Sequence, residues 1–326
     1  MLPHAPLALT PKYPGQVPWQ FDTIRDVAGL MGLCCRPSVS PAGKGSLIKM
    51  SNPNRPVRTA KTGVVTRIEQ LTPHMVRIVV GGEGLAEVEA GQFTDHYVKV
   101  LFPPPGVDYP EPFDVAAIRE TLPREQWPVT RTYTVRRWVP EVPEMWLDFV
   151  VHGDEGIAGP WAAGAKVGDP VRFMGPGGAY TPDPAAGWHL LAGDESALPA
   201  IAATLEGLPA GARVHAFIEV AGPAEEQKLE TAAELDLTWL HRGERPAGEL
   251  LAEAVRAFAW PDGTMNAFVH GEANFVKDMR RLLRVEKQIP MAQLSVSGYW
   301  RRGMNEDGWQ SSKREWNQQV EAEQGA

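Results

Sequence analysis

The stretch RTYTVRRW, residues 131–138, has the two-residue alternation of a β-strand but an unusual composition. Arg131 and Tyr133 share one face of such a strand, and Thr132 and Thr134 share the other. Three arginines in eight residues are costly for a strand that only fills a core. The composition therefore indicates a strand with a role besides packing, and the surrounding segments show which fold presents it.

Short alternating segments bounded by Gly and Pro turns lie on both sides of this strand. GVVTRIEQLTPHMVRIVV, residues 63–80, alternates before and after a TPH turn, which predicts a β-hairpin. HYVKVLFP comes next, and a Pro-rich insertion, residues 103–130, separates it from RTYTVRRW. MWLDFVVHG and PVRFMGP follow. Several short strands without long helices predict a small antiparallel β-barrel.

From about residue 187 the pattern changes to strands that alternate with helices. The strand-like segments are WHLLAG, RVHAFIEV, LTWLH, NAFVHG and AQLSVSGYW, with amphipathic helical segments between most of them. This alternation predicts a doubly wound α/β domain with a parallel sheet. A ligand is then expected at the carboxyl ends of the parallel strands, between the two domains.

The chain is predicted to divide into a poorly ordered extension, a barrel, an α/β domain and a polar tail, at residues 1–55, 56–182, 183–302 and 303–326. The beginning of the chain, residues 1–49, carries Pro and Gly throughout and shows no sustained period. A small cap packed by Trp19, Phe21 and Leu30 is the alternative. The tail after Trp300 is compatible with a loose helix.

The composition excludes several classes of function. The chain of 326 residues has a net charge of -8, which argues against a general nucleic-acid binder. No apolar run reaches the length of a transmembrane helix and no secretory signal opens the chain, so no membrane insertion is expected. The adjacent Cys34 and Cys35 are too few for an iron–sulfur cluster and fit a reducing cytoplasm. The histidines lack metal-ligand spacing, so we predict no protein metal site. We also predict that the protein is a cytoplasmic monomer.

The R-x-Y-T pattern offers what a flavin dinucleotide requires. Arg131 is a bidentate partner for a diphosphate, and Tyr133 is an aromatic wall for the ring. The hydroxyl of Thr134 is a hydrogen-bond donor for the ring nitrogen N5. Taken alone, the pattern also fits a barrel strand with surface arginines.

Three further turns are candidates for nucleotide binding. HGDEGIAGPWA, residues 152–162, places small residues and Pro160 at the start of a short helix, where free amides bind phosphate. LLAGDESALPA, residues 190–200, runs from a strand through Gly193 into a helix, but lacks the G-x-G-x-x-G pattern. HGEA, residues 270–273, ends a parallel strand where a nicotinamide is expected. Each turn alone is equally compatible with an ordinary loop.

Taken together and in order, these segments resemble the siderophore-interacting proteins, which are flavin-dependent ferric-siderophore reductases of the ferredoxin-reductase-like superfamily. The resemblance runs from about residue 56 to about residue 302. It is carried by FTDHYVKVLFP, the Pro-rich insertion, RTYTVR, DFVVHGDEGIAGPWA, FMGPGGAY, LLAGDESALPAI, WLHRG, HGEA and GYWRRG.

The resemblance implies one bound FAD, with Tyr133 and Thr134 as the catalytic candidates. The residues expected to hold FAD are Arg131, Tyr133, Thr134, His152, Ala158, Gly159 and Pro160. The residues expected to face the nicotinamide nucleotide are Gly193, Asp194, Glu195, Ser196, Ala197, Gly271, Glu272 and Ala273. Lys99 and Arg301 are expected to line the mouth that receives the ferric siderophore.

The expected function is reduction of a ferric siderophore to release Fe(II), with electrons passing from NAD(P)H through FAD. A general diaphorase-type reductase and a non-catalytic siderophore-binding protein are the alternatives. Glu219, at the end of the second parallel strand, favours NADH, whereas His241 and Arg242 favour the 2′-phosphate of NADPH.

A ferredoxin is an alternative electron donor. One predicted helix carries a basic face that suits an acidic partner, although a solvated surface explains the same charges. The residues of that face are Lys277, Arg280, Arg281, Arg284 and Lys287.

Overall fold

The computed structural model describes residues 60–324, apart from positions 87, 90, 111, 112 and 155. The predicted N-terminal extension therefore lies outside the described residues. In the described part of the chain, no helix combines the length and apolar character needed to cross a membrane.

Six antiparallel strands close into a barrel in the order β1-β2-β5-β4-β3-β6. They are β1 (Lys61–Thr72), β2 (Met75–Gly81), β3 (Tyr97–Phe102), β4 (Val129–Val139), β5 (Glu144–Val150) and β6 (Pro170–Gly177). Apolar residues that alternate along these strands meet in one core, which contains Ile78, Val98, Leu147 and Phe173 with almost no exposed surface. Closure removes the sheet edges and confirms the predicted antiparallel barrel.

The Pro-rich insertion folds onto the outside of the barrel. It contains helix α1 (Val115–Thr121), which begins at Asp114 because that carboxylate accepts hydrogen bonds from two backbone amides of the first turn. Phe113 and Ile118 pack with Leu101 of β3 in a small separate cluster. The insertion therefore covers the outer face of β3 beside the predicted flavin strand β4.

Five parallel strands form the second domain in the order β11-β10-β7-β8-β9, which confirms the doubly wound sheet. They are β7 (Trp188–Gly193), β8 (Arg213–Val220), β9 (Glu234–His241), β10 (Met265–Glu272) and β11 (Leu294–Trp300). Helix α3 (Leu198–Gly207) packs in the apolar cluster on one face. Helices α4 (Glu249–Ala257) and α5 (Ala273–Arg281) pack on the other face. Burial on both faces explains the nearly continuous apolar character of β7 and β10.

The polar tail forms one long helix, α6 (Glu306–Gln324), which lies beside the edge strand β11. Trp309 is fully buried against Gly298, where a Cβ atom would come within 3.1 Å of its ring. Near the other end of the helix, Lys277 of α5 pairs with Glu323 at 2.7 Å. The helix is therefore packed on the domain rather than loose, and it covers a strand edge that would otherwise be open.

Polar contacts join the barrel to the α/β domain. Arg136 of β4 pairs with Glu206 of α3 at 2.5 Å, and both side chains are largely buried. The hairpin between β1 and β2 contributes His74, whose amide donates to Glu225 at 3.2 Å. The two domains therefore meet along β4 and at the β1–β2 hairpin.

Candidate functional site

Arg131 lies near the start of β4 and is only 7% exposed. Its guanidinium donates to both carboxylate oxygens of Asp307, at 2.8 and 3.1 Å. Its Nε lies 3.1 Å from Glu306 Oε2. The first turn of α6 thus places two carboxylates where the sequence predicts the diphosphate of FAD. The residues are 176 positions apart, so sequence reasoning missed this pairing.

Tyr133 and Thr134 follow on the same strand and face different neighbours. The ring of Tyr133 packs on Phe149 with centroids 4.1 Å apart. Burial raises the pKa of Tyr133, the charge of Glu306 adds to that rise, and Arg131 opposes it. Thr134 is nearly buried, and its side chain lies beside the phenol of Tyr299 on β11, whose pKa it lowers. Two predicted flavin residues are therefore held in place by aromatic side chains.

Tyr299 is the functional candidate that sequence reasoning did not single out. It stands near the end of the last parallel strand, so it reaches the barrel from the carboxyl edge of the sheet. Burial raises its pKa, and nearby Asp95 raises it further. The sequence offered one signal for this residue, an aromatic side chain near the end of the last strand, within the segment GYWRRG.

The predicted phosphate turn leads from β5 into helix α2 (Ala158–Gly164). His152 is exposed at its start. Gly153 and Gly156 have positive φ values of 69° and 82°, which favour glycine, and open space surrounds both α-carbons. Ala158, Gly159 and Pro160 form the first turn of α2. The turn is open on the side where the sequence predicts a phosphate.

Asp194, predicted to face the nicotinamide nucleotide, joins the ends of three strands. Only 1% of it is exposed. Its carboxylate accepts hydrogen bonds from the amide of Ser196 at 2.9 Å, the amide of Glu272 at 2.9 Å and Trp300 Nε1 at 2.8 Å. Because these donors are all groups of the protein itself, the carboxylate of Asp194 holds together the turns after β7 and β10 and the end of β11.

The glycines of the two turns allow this close approach. A Cβ atom at Gly193 would lie 2.5 Å from that of Ala197, and one at Gly271 would lie 2.7 Å from a carboxylate oxygen of Asp194. Gly271 also has a φ of 135°, which L side chains rarely adopt. Glu272 caps α5, which begins at Ala273, by accepting from two amides of its first turn. The predicted nucleotide turns are thus brought side by side.

Two of the residues proposed to distinguish NADH from NADPH lie close together, since the guanidinium of Arg242 is 3.9 Å from a carboxylate oxygen of Glu219. Glu219 is fully buried and accepts from the amides of Gly248 and Leu251 at 2.8 and 3.1 Å. Arg242 instead lies at the rim and pairs with Glu195 at 2.6 Å. Burial raises the pKa of Glu195, Asp194 raises it further, and Arg242 opposes the rise. His241 pairs with Glu226 at 2.7 Å.

Lys99 and Arg301, the predicted substrate cations, both border the beginning of α6. Lys99 lies opposite Thr132 in the β3–β4 ladder, and the amide of Thr132 lies 3.5 Å from a carboxylate oxygen of Glu306. Arg301 directly follows β11 and precedes α6 by five residues. In the described part of the chain, neither cation is within ion-pair distance of a carboxylate.

The donor set of the barrel fits FAD in its chemistry. The guanidinium of Arg131 already pairs with two carboxylates, so it lies where it can bind an anion. Tyr133 offers a ring, Thr134 a hydroxyl, and the turn before α2 free space beside its backbone. Arg131, Tyr133, Thr134 and the α2 turn are the residues that would hold the dinucleotide. Among described residues, no three His, Cys, Asp or Glu side chains group as metal ligands do.

Comparison with known families and proteins agrees with this geometry. Residues 64–180 match the siderophore-interacting FAD-binding domain, and residues 186–303 match the siderophore-interacting protein domain. A Mycobacterium tuberculosis protein without an assigned function is 45% identical over 77% of this chain and 93% of its own length.

One curated relative and one solved structure are similarly close. Ferric vibriobactin reductase of Vibrio cholerae is 34% identical over 76% of this chain and 91% of its own length. The crystal structure of a siderophore utilization protein from T. fusca has a TM-score of 0.67 and 36% identity, and it covers 76% of this chain and 95% of its own. Helix α6 lies beyond the two regions that match the family, residues 64–180 and 186–303.

Proposed function

Because the chain belongs to the siderophore-interacting protein family, we propose that it is a flavoprotein that reduces ferric siderophores with electrons from NAD(P)H. The observation that carries the proposal is the junction of the two domains. Thr134, on the barrel strand with the R-x-Y-T pattern, lies beside Tyr299 at the carboxyl edge of the parallel sheet. A ring held by Tyr133 and Thr134 would therefore adjoin the edge at which such sheets bind nucleotides.

The chemistry that FAD supplies when bound is to accept a hydride from NAD(P)H and release the two electrons singly to Fe(III). The chain's own residues bind and orient the partners. Arg131 neutralises a diphosphate, Tyr133 packs against the ring, and the hydroxyl of Thr134 is a hydrogen-bonding group for N5. Iron arrives as a chelated substrate, and Fe(II) is held less well by hard oxygen ligands, so reduction leads to release.

Lys99 and Arg301 are proposed to attract the chelate. Many ferric chelates are anions, whereas this chain has a net charge of -8. Local cations near the start of α6 would offset the repulsion that the overall charge imposes on such a substrate. Both side chains are half-buried and flank the region where the barrel and the sheet meet.

For the nucleotide donor we propose NADPH, recognised through Arg242 and His241. Glu219 is enclosed by the first turn of α4, so its carboxylate cannot reach a ribose hydroxyl without uncapping that helix. Arg242 pairs with Glu195. Because burial raises the pKa of Glu195 and so disfavours its charged form, a phosphate is a favourable replacement for Glu195 as the partner of Arg242. A kcat/KM that is higher for NADPH than for NADH is the expected result.

The remaining partner and location assignments stay predictions. Most of the basic face proposed for a ferredoxin has other partners. Lys277 pairs with Glu323, Arg280 donates to Gln324 at 3.2 Å, and Arg281 lies 3.7 Å from Glu286. These contacts favour NADPH over a ferredoxin as the donor. The cytoplasmic location and the monomeric state rest on the sequence patterns alone.

The proposed function is tested with the purified, FAD-loaded protein under anaerobic conditions. Addition of NADPH should bleach the flavin absorbance, and subsequent addition of a ferric siderophore with a ferrous chelator should restore it while Fe(II) accumulates. A protein that binds FAD and siderophore without bleaching would instead be a siderophore-binding protein. Equal rates with unrelated electron acceptors would indicate a general diaphorase.

A further inference from the structure

A row of polar side chains crosses one face of β10 and β11 from the barrel to helix α6. We define the β11 polar row as Ser295, Ser297, Tyr299, His270 and Lys313. The first three alternate on one face of β11, and His270 stands beside Ser297 in the β10–β11 ladder. The row runs along β11 from Ser295, its second residue, to Tyr299 near the carboxyl edge of the sheet.

Contacts connect the members of the row. His270 Nε2 lies 2.9 Å from the hydroxyl oxygen of Ser295, and the ammonium of Lys313 lies 3.3 Å from that of Ser297. The rings of His270 and Tyr299 meet edge to face with centroids 4.9 Å apart. Tyr299 in turn lies beside the side chain of Thr134. The row thus links α6 to the residue proposed to bind the flavin ring.

Lys313 is the cation of this row. Its ammonium has no carboxylate within ion-pair distance in the described part of the chain, and its nearest ring is Trp309 at 5.9 Å. Burial lowers the pKa of Lys313. His270 is fully buried and has a pKa of about 3, because burial and then the charge of Lys313 oppose its protonation. The histidine of the row therefore stays neutral, and Lys313 is the basic side chain beside it.

Lys313 is half-buried, so its ammonium loses part of its hydration without gaining a counter-ion in the described part of the chain. Uptake of a hydride equivalent brings two electrons and one proton to a flavin ring, which adds one negative charge. Positive charge held in a poorly solvated region stabilises such added charge more than the same cation in water does.

We propose that Lys313 is a positioning residue for electron transfer, whose ammonium stands behind the Tyr299–Thr134 contact and favours the more negative, reduced state of the bound flavin. This inference rests on the proposed function and on the flavin position at Thr134. It assigns a role in the reaction to α6, which lies outside the regions matched to the family.

The test is the midpoint potential of the FAD-loaded protein, measured by anaerobic titration against a reference dye. Lys313→Met keeps the apolar stem of the side chain and removes its charge. The equilibrium between reduced and oxidised flavin should shift about tenfold toward the oxidised form, which is about 30 mV for a two-electron couple. FAD content should be unchanged, and Lys313→Arg should retain the wild-type potential.

Lys277→Met is the matched control, because it removes a lysine that also contacts α6, through Glu323, but lies outside the row. Its potential should equal that of the wild type. An unchanged potential in Lys313→Met, or an equal shift in Lys277→Met, overturns the inference. If Lys313→Met does not fold, Lys313→Gln carries the same expectation. Loss of FAD from either Lys313 variant also overturns it, because Lys313 would then be a binding residue.

The two levels of the proposal fail in different ways. A wild-type protein that takes up no FAD overturns the proposed function and this inference with it. A wild-type protein that binds FAD and is bleached by NADPH, while Lys313→Met keeps the wild-type potential, overturns the inference alone.

Discussion

The barrel side and the sheet side of the candidate site hold charge in opposite ways. On the barrel, Arg131 of β4 pairs with carboxylates of another element, and the side chain of Asp307 is 69% exposed. On the sheet, Asp194 and Glu219 are at most 1% exposed and are enclosed by backbone amides. An ion pair whose carboxylate is exposed is more easily replaced, whereas a buried carboxylate satisfied by amides is part of the fold.

This difference teaches which predicted site residues are available to a ligand. The partners of Arg131 can be exchanged for a diphosphate at low cost, since both belong to the first turn of a peripheral helix. The carboxylates of Asp194 and Glu219 cannot be exchanged without leaving buried amides unsatisfied. On the sheet side, the groups available to a nucleotide are therefore Arg242 and His241 at the rim, together with the backbone of the two turns.

The largest effect is expected for Asp194→Ala, which leaves the Trp300 indole and two backbone amides without their acceptor. Each unsatisfied donor costs about 1–3 kcal/mol, so we expect a loss of about 3–5 kcal/mol and a fall in Tm of roughly 10 °C. Asp236→Ala, which removes an exposed partner of His215, is the control. A Tm within about 1 °C of wild type would show that the sheet-side acid is not structural.

The second effect concerns FAD affinity. Arg131→Ala should weaken FAD binding by roughly 10-fold to 100-fold, since a charge-assisted hydrogen-bonded pair contributes about 1.5–3 kcal/mol. Flavin fluorescence on titration of the apoprotein measures the Kd. Arg137→Ala is the control, because this exposed arginine of the same strand stacks only on Trp146.

A double variant separates the two roles that Arg131 has in the structure. Glu306→Gln with Asp307→Asn releases the first turn of α6 but keeps the arginine. It should bind FAD at least as tightly as the wild type, because two competing carboxylates are gone. If it loses FAD as Arg131→Ala does, Arg131 acts through α6 and the barrel side is as structural as the sheet side.

A smaller effect is expected at the substrate mouth. Lys99→Ala combined with Arg301→Ala should raise KM for an anionic ferric siderophore about tenfold at low salt and reduce the salt dependence of kcat/KM. Flavin reduction by NADPH without siderophore, followed by stopped flow, should stay at the wild-type rate. Slow flavin reduction in this variant would place the two cations in the flavin or nucleotide site instead.

The smallest effect is a pH dependence at the contact between the domains. Burial raises the pKa of Glu225, but hydrogen bonds from Thr72 and His74 outweigh it, so the net pKa is lowered. The contact therefore stabilises the fold above the ordinary pKa of a glutamate, and the stabilisation is lost as pH falls through the lowered value. Wild type should exceed Glu225→Gln in Tm at pH 7, and the difference should shrink as the pH falls below the ordinary pKa of a glutamate. A difference that grows in acid would contradict this assignment.

Much of the fold could be predicted because it depends on local periodicity. Two-residue alternation with Gly and Pro turns indicated the barrel, and alternating strands and helices indicated the parallel sheet. The residues of the barrel half of the site could also be proposed from the sequence, since Arg131, Tyr133 and Thr134 are neighbours on one strand. Tyr299 and α6 were not assigned to the site, because they reach it from a separate domain and from a polar tail without strong periodicity.

The sequence by itself determined the two architectures and the set of groups on β4, because each follows from the order of residues within a few positions. Only the tertiary structure decided which charges are free. Whether a carboxylate faces solvent, an arginine or a backbone amide depends on residues far apart in the chain, as for Asp194 with Trp300 and Arg131 with Asp307. Electrostatic and hydrogen-bond energies act over a few ångströms in space, and the chain brings those partners together only when both domains and α6 have packed.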